Sequence, residues 1–528
     1  MNHSRLPTPD PALDEGLALI SQLPLANPSA ARSQLLSYLD LLLSQPPGPL
    51  VLLELLEAMR EPMAFVQGEA ARPYLNKPLP LLPHEETLLY DVSECWRLMV
   101  KAYATCARLV EPDPNDPYYA ARIATILHRC LYYTGQIIFE HYRARCELPS
   151  NLWIDLHGYY ETAEEWGVSL TPIEDVLEGT EAPTHCAAAY ITILLVDVAS
   201  PYGLTIRQLN LIRRWATQWS PMGSIHRLSD DGELPSFVVE LMQDTPLHYA
   251  GGGQNLRDDA RWLDTSRIGL HIHHYLAQLQ QRNTPAQLGL GEESSAAVQH
   301  LLQRLQRPWS QLASPRRFRR FGSDGNTRVA LGFPAIHFHI SGKAFAQPAA
   351  ASMYSHDAYM QMATYGERVA PDTPLSVEEQ VTYPTESWAV LNHSASGFRL
   401  SRPPAGQRIG HNQLLGVCPH DGNLFLLCRI TWLLQEGDGN VVAGVATLPG
   451  VPQPVGIRPV NTRELFVRAF LLDPVPGMEE SGSLILPSGL YQARKGMELA
   501  SGNERQQIRL NCVLDRGLDF DRISYDPF

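Results

Sequence analysis

The sequence predicts a multidomain α + β protein in which an all-α N-terminal part precedes antiparallel β structure. Two observations support this fold class. Leucine and aromatic residues recur at helical spacing as far as residue 308, and short segments with alternating apolar residues, separated by Gly, Pro and Asn, follow from residue 327. With 528 residues, of which 44% are hydrophobic and 19% charged, the chain is long enough to bury several cores.

The predicted helical domain covers residues 29–308 and follows a proline-rich, loose leader at residues 1–28. Long amphipathic segments at 84–110 and 117–146, joined by short breaks, predict stacked antiparallel helix pairs. Residues 152–167 carry the Trp, Leu, Tyr and Ala spacing of a tetratricopeptide-like hairpin, although no fixed-period repeat is visible. Residues 223–242 instead predict a strand, a turn and a second strand.

A linker at residues 309–326 is the best domain boundary, because the helical pattern stops before it and the strand pattern starts after it. The linker contains the run Pro315–Arg320, which holds four arginines. Beyond it we expect a β-barrel at residues 327–460, interrupted by an insertion at 341–384, and further β structure at 461–528. This last part is either a second small barrel or an extension of the first.

The segment Glu386–Leu400 predicts a strand, a tight polar turn and a second strand. Trp388 and Val390 are apolar strand positions before the turn, and Phe398 alternates with Leu400 after it. The turn between them consists of short polar side chains and closes with a glycine, which adopts a positive φ readily. It exposes backbone N–H groups and hydroxyls on one side, an arrangement suited to an anion.

The arginine run and this turn together resemble the two ligand motifs of the PilZ domain family, bacterial receptor modules for cyclic di-GMP. Arg316 and Arg320 match the family's RxxxR motif, which lies just before the first barrel strand. Asn392, Ser394 and Gly397 match its [D/N]xSxxG motif, which lies after the second strand. The resemblance implies a six-stranded antiparallel β-barrel with a cyclic di-GMP site. The ligand-binding residues that it implies are Arg316, Arg317, Arg320, Asn392, Ser394 and Gly397.

The chemistry of these residue types agrees with the resemblance. Cyclic di-GMP carries two phosphates and two guanine bases, and a guanidinium group pairs bidentately with a phosphate or with the O6/N7 edge of guanine. It also stacks on aromatic planes. A linker with two arginines one helical turn apart can therefore fold over such a ligand, and the Asn/Ser/Gly turn supplies neutral donors and acceptors.

Composition excludes several other classes of protein. A formal net charge of −14 disfavours extended binding to DNA or RNA. Eight cysteines without a CxxC pair fit a reducing compartment. The N-terminus lacks the basic and apolar regions of a signal peptide, and the apolar run at 187–198 is too short to span a bilayer. We therefore expect a cytoplasmic protein with no transmembrane segment.

Other polar clusters predict neither catalysis nor metal binding. His271, His273 and His274 lie on one predicted helix, but no further ligand follows at a recognisable spacing. His337 and His339 alternate on a predicted strand. The glycine run at 251–253 lacks the Lys-Ser/Thr pair of a P-loop, and no nucleophile–base pair stands out. We expect no enzyme activity.

Two functional hypotheses follow. In the first, cyclic di-GMP binding changes the geometry between the helical part and the barrel and so controls a protein partner held by the helical surface. The resemblance suggests motility, pilus, adhesion or biofilm control as the setting. In the second, the barrel is a degenerate, ligand-free scaffold, and the protein is an interaction adaptor.

Overall fold

The computed structural model describes residues 10–109, 118–179, 182–228, 237–249, 258–311, 318–323, 325–347, 383–420, 422–462, 464–474, 482–502 and 504–527. The chain divides into two compact units. The first contains Met1–Lys77 and Leu81–Arg316, and the second contains Pro78–Pro80 and Arg317–Phe528. The domain boundaries expected from the sequence stay predictions.

Helices dominate the first unit as far as residue 222, as predicted. Buried residues recur along each helix at the spacing of one apolar face, for example at Leu35, Leu39 and Leu42. The helices are α1 (Pro11–Ser21), α2 (Pro28–Ser44), α3 (Pro49–Ala71), α4 (Pro83–Leu109), α5 (Tyr119–Ala144), α6 (Leu152–Glu165), α7 (Cys186–Val198) and α8 (Ile206–Trp219).

Side-chain caps define several helix starts. The Asp10 carboxylate accepts a hydrogen bond from the backbone of Ala12 at the start of α1. Thr205 and Gln208 form a reciprocal capping box at the start of α8. Helix α5 is buried along most of its length and packs against α4, α6 and α7, so it is the central helix of this unit.

A small sheet and two further helices follow in the first unit. The strands are β1 (Ser224–Arg227), β2 (Phe237–Glu240), β3 (His248–Tyr249) and β4 (Ala260–Asp264), in the order β1-β4-β2-β3. The predicted strand pair at 223–242 is present as β1 and β2, but both pair with β4 and not with each other. Helices α9 (Ser266–Gln280) and α10 (Ser295–Trp309) complete the unit.

The second unit begins with an antiparallel barrel, which confirms the predicted fold class. Its strands are β5 (Phe321–Gly322), β6 (Asn326–Leu331), β7 (Glu386–Ser394), β8 (Gly397–Arg402), β9 (Leu414–Cys418), β10 (Leu426–Gln435) and β11 (Val441–Thr447). Six strands pair in the order β7-β6-β9-β10-β11-β8, and β8 pairs with β7 to close the ring. Strand β5 pairs with β7 beyond the end of β6.

The predicted strand that carries His337 and His339 is wrong. Strand β6 ends at Leu331, and helix α11 (Phe333–Ser341) follows. Pro334 occupies the first turn of this helix, a position that favours helix initiation because its missing N–H needs no partner there. His337 and His339 therefore lie on a helix, and they are not the alternating strand positions expected from the sequence. The core of the predicted insertion, residues 348–382, lies outside the described residues.

A second closed barrel ends the chain and resolves the alternative left open by the sequence. Its strands are β12 (Pro452–Pro459), β13 (Val467–Leu472), β14 (Ser483–Pro487), β15 (Gly496–Ser501), β16 (Glu504–Arg516) and β17 (Phe520–Pro527). They pair in the order β12-β13-β14-β17-β16-β15, and β15 pairs with β12. The C-terminal β structure is thus a barrel of its own.

The second unit also includes a short segment from early in the chain. Leu79 pairs with Ile409 through two backbone hydrogen bonds of 2.8 Å. The guanidinium of Arg408 donates to the carbonyl of Pro78. Pro78–Pro80 is thereby fixed to the loop between β8 and β9, although its sequence neighbours belong to the helical unit.

Within the described residues, no helix is both long enough and apolar enough to cross a bilayer.

The hairpin of β7 and β8 confirms the predicted strand–turn–strand at Glu386–Leu400. Its loop has two residues, Ala395 and Ser396, and Ser394 pairs with Gly397. Gly397 has a φ of +156°, and a Cβ built on it would lie 2.0 Å from the carbonyl oxygen of Val445 on β11. The glycine therefore permits the close approach of two strands at the end of the barrel.

We predict that Gly397→Ala destabilises the first barrel by about 1–3 kcal/mol, because the new methyl group collides with backbone and the φ becomes strained. The backbone of β11 has to move to relieve this contact. Two measurements give the loss of stability: chemical denaturation of the variant, and hydrogen exchange of the backbone amides in β8 and β11 of the folded protein. Gly422→Ala is the matched control, since its added Cβ would meet ordinary contacts of 3.7–3.8 Å. Equal stability of the two variants would contradict the prediction.

Candidate ligand-binding site

The two predicted motifs meet along one edge of strand β7. Phe321 on β5 pairs with His393, and Gly322 pairs with Asn392. The end of the arginine run is therefore held beside the polar end of β7 by backbone pairing. This contact is long-range, because the predicted insertion separates the two segments in sequence.

A direct side-chain contact joins the motifs. Nη1 of Arg320 donates a hydrogen bond to Oδ1 of Asn392 at 2.9 Å. Arg316 and Arg317 lie outside the described residues, so Arg320 is the member of the predicted arginine set whose position is known. Both groups in the contact remain accessible to solvent and hence to a ligand.

The remaining predicted site residues complete the hairpin end. Ser394 Oγ lies 3.2 Å from Ser396 Oγ. The backbone N–H of Ser396 points towards Ser394 Oγ at 3.4 Å, a long contact. Asn392 and Ser394 are the last residues of β7, so they are strand residues, whereas the sequence predicted them in the turn. Gly397 opens β8.

Sequence reasoning missed an aromatic and a cationic group at the same place. Phe321 is 51% exposed, and its ring centroid lies 6.0 Å from that of His393. The guanidinium of Arg319 lies 5.5 Å from the centroid of the Phe321 ring. The repeated Arg-Arg-Phe in residues 316–321 was the available signal, since cations beside exposed aromatic rings suit nucleotide bases.

Among the residues that the structure describes, no carboxylate compensates the positive charge at this site. Neither Arg319 nor Arg320 forms an ion pair with a carboxylate of the described residues. By contrast, Arg429 on β10 pairs with Asp515, and Arg402 on β8 lies 3.8 Å from Glu386. The exposed arginines at β5 thus give a local positive region in a chain with a net charge of −14.

One cluster in the helical unit resembles a metal site in composition. Ligand atoms of His128, Asp175 and Glu178 lie within 4.8 Å of one another. However, Arg60 and Arg129 donate hydrogen bonds of 2.9 Å to the Asp175 carboxylate. Two guanidinium groups already neutralise this carboxylate and repel a cation, so the cluster is a buried ionic core and a poor metal site.

Burial and the two arginines shift the pKa values of the acidic and histidine side chains in this core. Burial alone would raise the pKa of Asp175, but Arg129 and Arg60 outweigh it and hold the pKa below its ordinary value of 3.8. Burial, assisted by Arg129, lowers the pKa of His128 to about 3. Burial also raises the pKa of Glu178 to about 7. The core is therefore built around a charged Asp175 and a neutral His128.

Comparison with known proteins gives three matches in chain order. A model described as the N-terminal domain of the cyclic-di-GMP receptor FimW matches residues 15–230. A model of the middle PilZ domain of FimW matches residues 236–373, and one of its C-terminal β-barrel domain matches residues 455–528. The chain belongs to the FimW family. The predicted PilZ resemblance is thereby confirmed.

A curated relative covers most of the same length. The cyclic-di-GMP receptor FimW of Pseudomonas aeruginosa is 22% identical over 502 residues, which span 87% of this chain and 81% of that protein. The chain is thus a distant homologue of a receptor, a binding protein. No solved structure matches it significantly.

The FimW-family matches and the motifs overlap only in part. The middle-domain match includes the arginine run and strands β5 and β6, and it ends at residue 373. Asn392, Ser394 and Gly397 lie between the second and third matches. Strand pairing nevertheless assigns their hairpin to the same barrel as β6.

We predict that Asp175→Asn destabilises the helical unit by about 1.5–3 kcal/mol, because Arg60 and Arg129 lose a buried carboxylate that accepts from both and keep Glu57 as their counter-charge. Hydrogen exchange in α5 measures the opening free energy. Glu69→Gln is the control: its partner Arg72 is 72% exposed, so that loss should stay below about 1 kcal/mol. Similar losses in both variants would argue against a buried ionic core.

We also predict a pH dependence from His128. Its folded pKa of about 3 lies below the unfolded value of 6.5, so the unfolded chain binds the proton first as pH falls. The stabilisation is fully present above pH 6.5 and is lost as the pH falls towards 3, by up to about 1.4 kcal/mol per pH unit. In His128→Gln, the opening free energy of α5 should fall less steeply between pH 6 and pH 4. An unchanged slope would contradict the assignment.

Proposed function

We propose that this protein is a receptor for cyclic di-GMP, bound by Arg316, Arg317, Arg320, Asn392, Ser394 and Gly397. The hydrogen bond between Arg320 and Asn392 carries the proposal, because it joins the two motifs in a chain of the FimW family. The relative's name supplies the ligand, and the chemistry of the joined motifs agrees with it.

The proposed contacts use each group in its usual chemical role. Guanidinium groups of the linker pair with phosphate or with the O6/N7 edge of guanine. Asn392 offers an amide that both donates and accepts, and the Ser394 hydroxyl does the same. Gly397 allows β8 to approach β11 closely and so shapes the hairpin end that carries Asn392 and Ser394. Arg320 donates a hydrogen bond to Asn392 in the structure, and the ligand would exchange that bond for contacts of its own.

We further propose that the protein is a non-catalytic effector in the cytoplasm. The arginines that bind the ligand lie where the chain passes from the helical unit to the barrels. Their immobilisation would bias the geometry between the units and thereby the binding of a protein partner by the helical surface. The partner belongs to motility, pilus, adhesion or biofilm control in this proposal.

Isothermal titration calorimetry of the full chain with cyclic di-GMP tests the proposal. We expect binding by the wild type, and at least about tenfold weaker binding by Arg320→Ala and by Asn392→Ala, since each good bidentate contact is worth about 1–3 kcal/mol. Arg316→Ala and Arg317→Ala should act in the same direction.

Arg505→Ala is the matched control, because this arginine pairs with Glu498 in the second barrel and belongs to neither motif. Its affinity should equal that of the wild type. Absence of heat and of a thermal shift in the wild type at tens of micromolar ligand would overturn the receptor function and favour the ligand-free adaptor. Full affinity in all the motif variants would place the site elsewhere.

A further inference from the structure

We propose that the nucleotide site continues across the outer face of the first barrel, where Arg399 and Trp432 bind the second half of the ligand. This inference rests on the proposed function and names two residues outside both motifs. Arg399 would contact a phosphate or a guanine edge, and Trp432 would stack against a purine base.

Strand register places Asn392, Arg399, Gly444 and Trp432 in one row across four neighbouring strands. Asn392 on β7 pairs with Arg399 on β8, Arg399 pairs with Gly444 on β11, and Gly444 pairs with Trp432 on β10. Directly paired residues point to the same face of a sheet, with Cβ atoms about 5 Å apart. Neighbouring strands are about 4.8 Å apart, so the row extends roughly 14 Å from Asn392, longer than one purine ring.

The adjacent row identifies which face is outside. Val390, Leu400, Ala443 and Leu433 are paired in the same strand order and are all buried. Successive residues on a strand point to opposite faces. The row that contains Arg399 and Trp432 therefore faces away from the barrel core, on the same side as the Arg320–Asn392 contact.

Two β-bulges adjust this outer row. The β7–β8 register shifts between Val390 and Asn392, and the β10–β11 register shifts between Ile430 and Trp432. Each bulge adds one residue to its strand and turns the following side chain back to the outer face. Without the first bulge, Asn392 would share the inner face with Val390.

The Arg399 side chain packs near the Trp432 ring, but part of its hydrogen-bonding capacity is unused among the described residues. Its guanidinium lies 5.8 Å from the ring centroid of Trp432. Its Nε is buried and has no hydrogen-bond partner among the described residues, and it pairs with no carboxylate there. A buried N–H without a partner costs free energy unless something accepts from it. A ligand that draws the guanidinium outward would let a phosphate or guanine oxygen accept from it and would supply the missing negative charge.

Gly444 gives Trp432 its position. A Cβ built on Gly444 would lie 1.8 Å from Nε1 of Trp432, so the indole occupies the space directly over this glycine. The indole therefore lies along the barrel surface towards Arg399, and the Trp432 side chain is partly buried and partly accessible to solvent. A flat indole beside a guanidinium is a stacking platform for a base. The base would stack on the Trp432 ring, with the Arg399 guanidinium next to it.

Calorimetry with cyclic di-GMP on the full chain, in five variants, tests the extension. We expect Arg399→Ala and Trp432→Ala each to weaken binding at least about fivefold, the effect of one lost bidentate or stacking contact. Trp432→Phe keeps a ring and should lose less than Trp432→Ala. Arg399→Lys keeps the charge but loses the bidentate geometry of the guanidinium, so this variant should still bind cyclic di-GMP more weakly than the wild type. Arg458→Ala is the control, since that guanidinium lies over Phe466 at 4.3 Å in the second barrel.

A second measurement remains valid if an alanine variant folds poorly. In a ¹⁵N-correlated spectrum of the wild type, the indole N–H resonance that disappears in Trp432→Phe is that of Trp432. It should shift as cyclic di-GMP is added. Weaker binding by Arg320→Ala, with wild-type affinity in Arg399→Ala and Trp432→Ala and a static indole resonance, would overturn the extension and leave the receptor function intact. No binding by the wild type would overturn both.

Discussion

The short pairing of β5 with β7 is the contact on which the proposed site depends. It fixes Phe321 and Gly322 against His393 and Asn392, and the Arg320–Asn392 hydrogen bond follows from that register. Backbone pairing is a suitable device here, because it holds the end of a linker without using the side chains that are proposed to face the ligand. Arg319 and Arg320 stay exposed, and the strand end stays polar.

The sequence predicted the fold class because the spacing of apolar residues is helical in the first half of the chain and alternating in the second half. Leucines at helical spacing and alternating apolar strands are local signals, and they remain valid whatever the chain does elsewhere. The error at residues 332–341 came from a local ambiguity: Ile336, Phe338 and Ile340 alternate like strand positions. The chain forms a helix there because Pro334 favours a first helical turn.

The candidate site was predictable only in its motif residues. Arg320, Asn392, Ser394 and Gly397 could be named from their spacing, and the structure brings Arg320 to Asn392. Arg399 and Trp432 could not be named, because their alignment with Asn392 depends on register across four strands and on two bulges. The ionic core of Arg60, Arg129 and Asp175 was equally invisible, since its members come from distant parts of the chain.

The pairing of Leu79 with Ile409 has a consequence for how the protein can be dissected. The chain enters the barrel unit at Pro78, returns to the helical unit after Pro80, and enters the barrel unit again near Arg317. Three peptide connections therefore join the units, and cleavage of the arginine linker would sever only one of them. A fragment that starts at residue 317 would also lose Leu79, the backbone partner of Ile409, so a complete barrel unit needs chain from both sides of the helical unit.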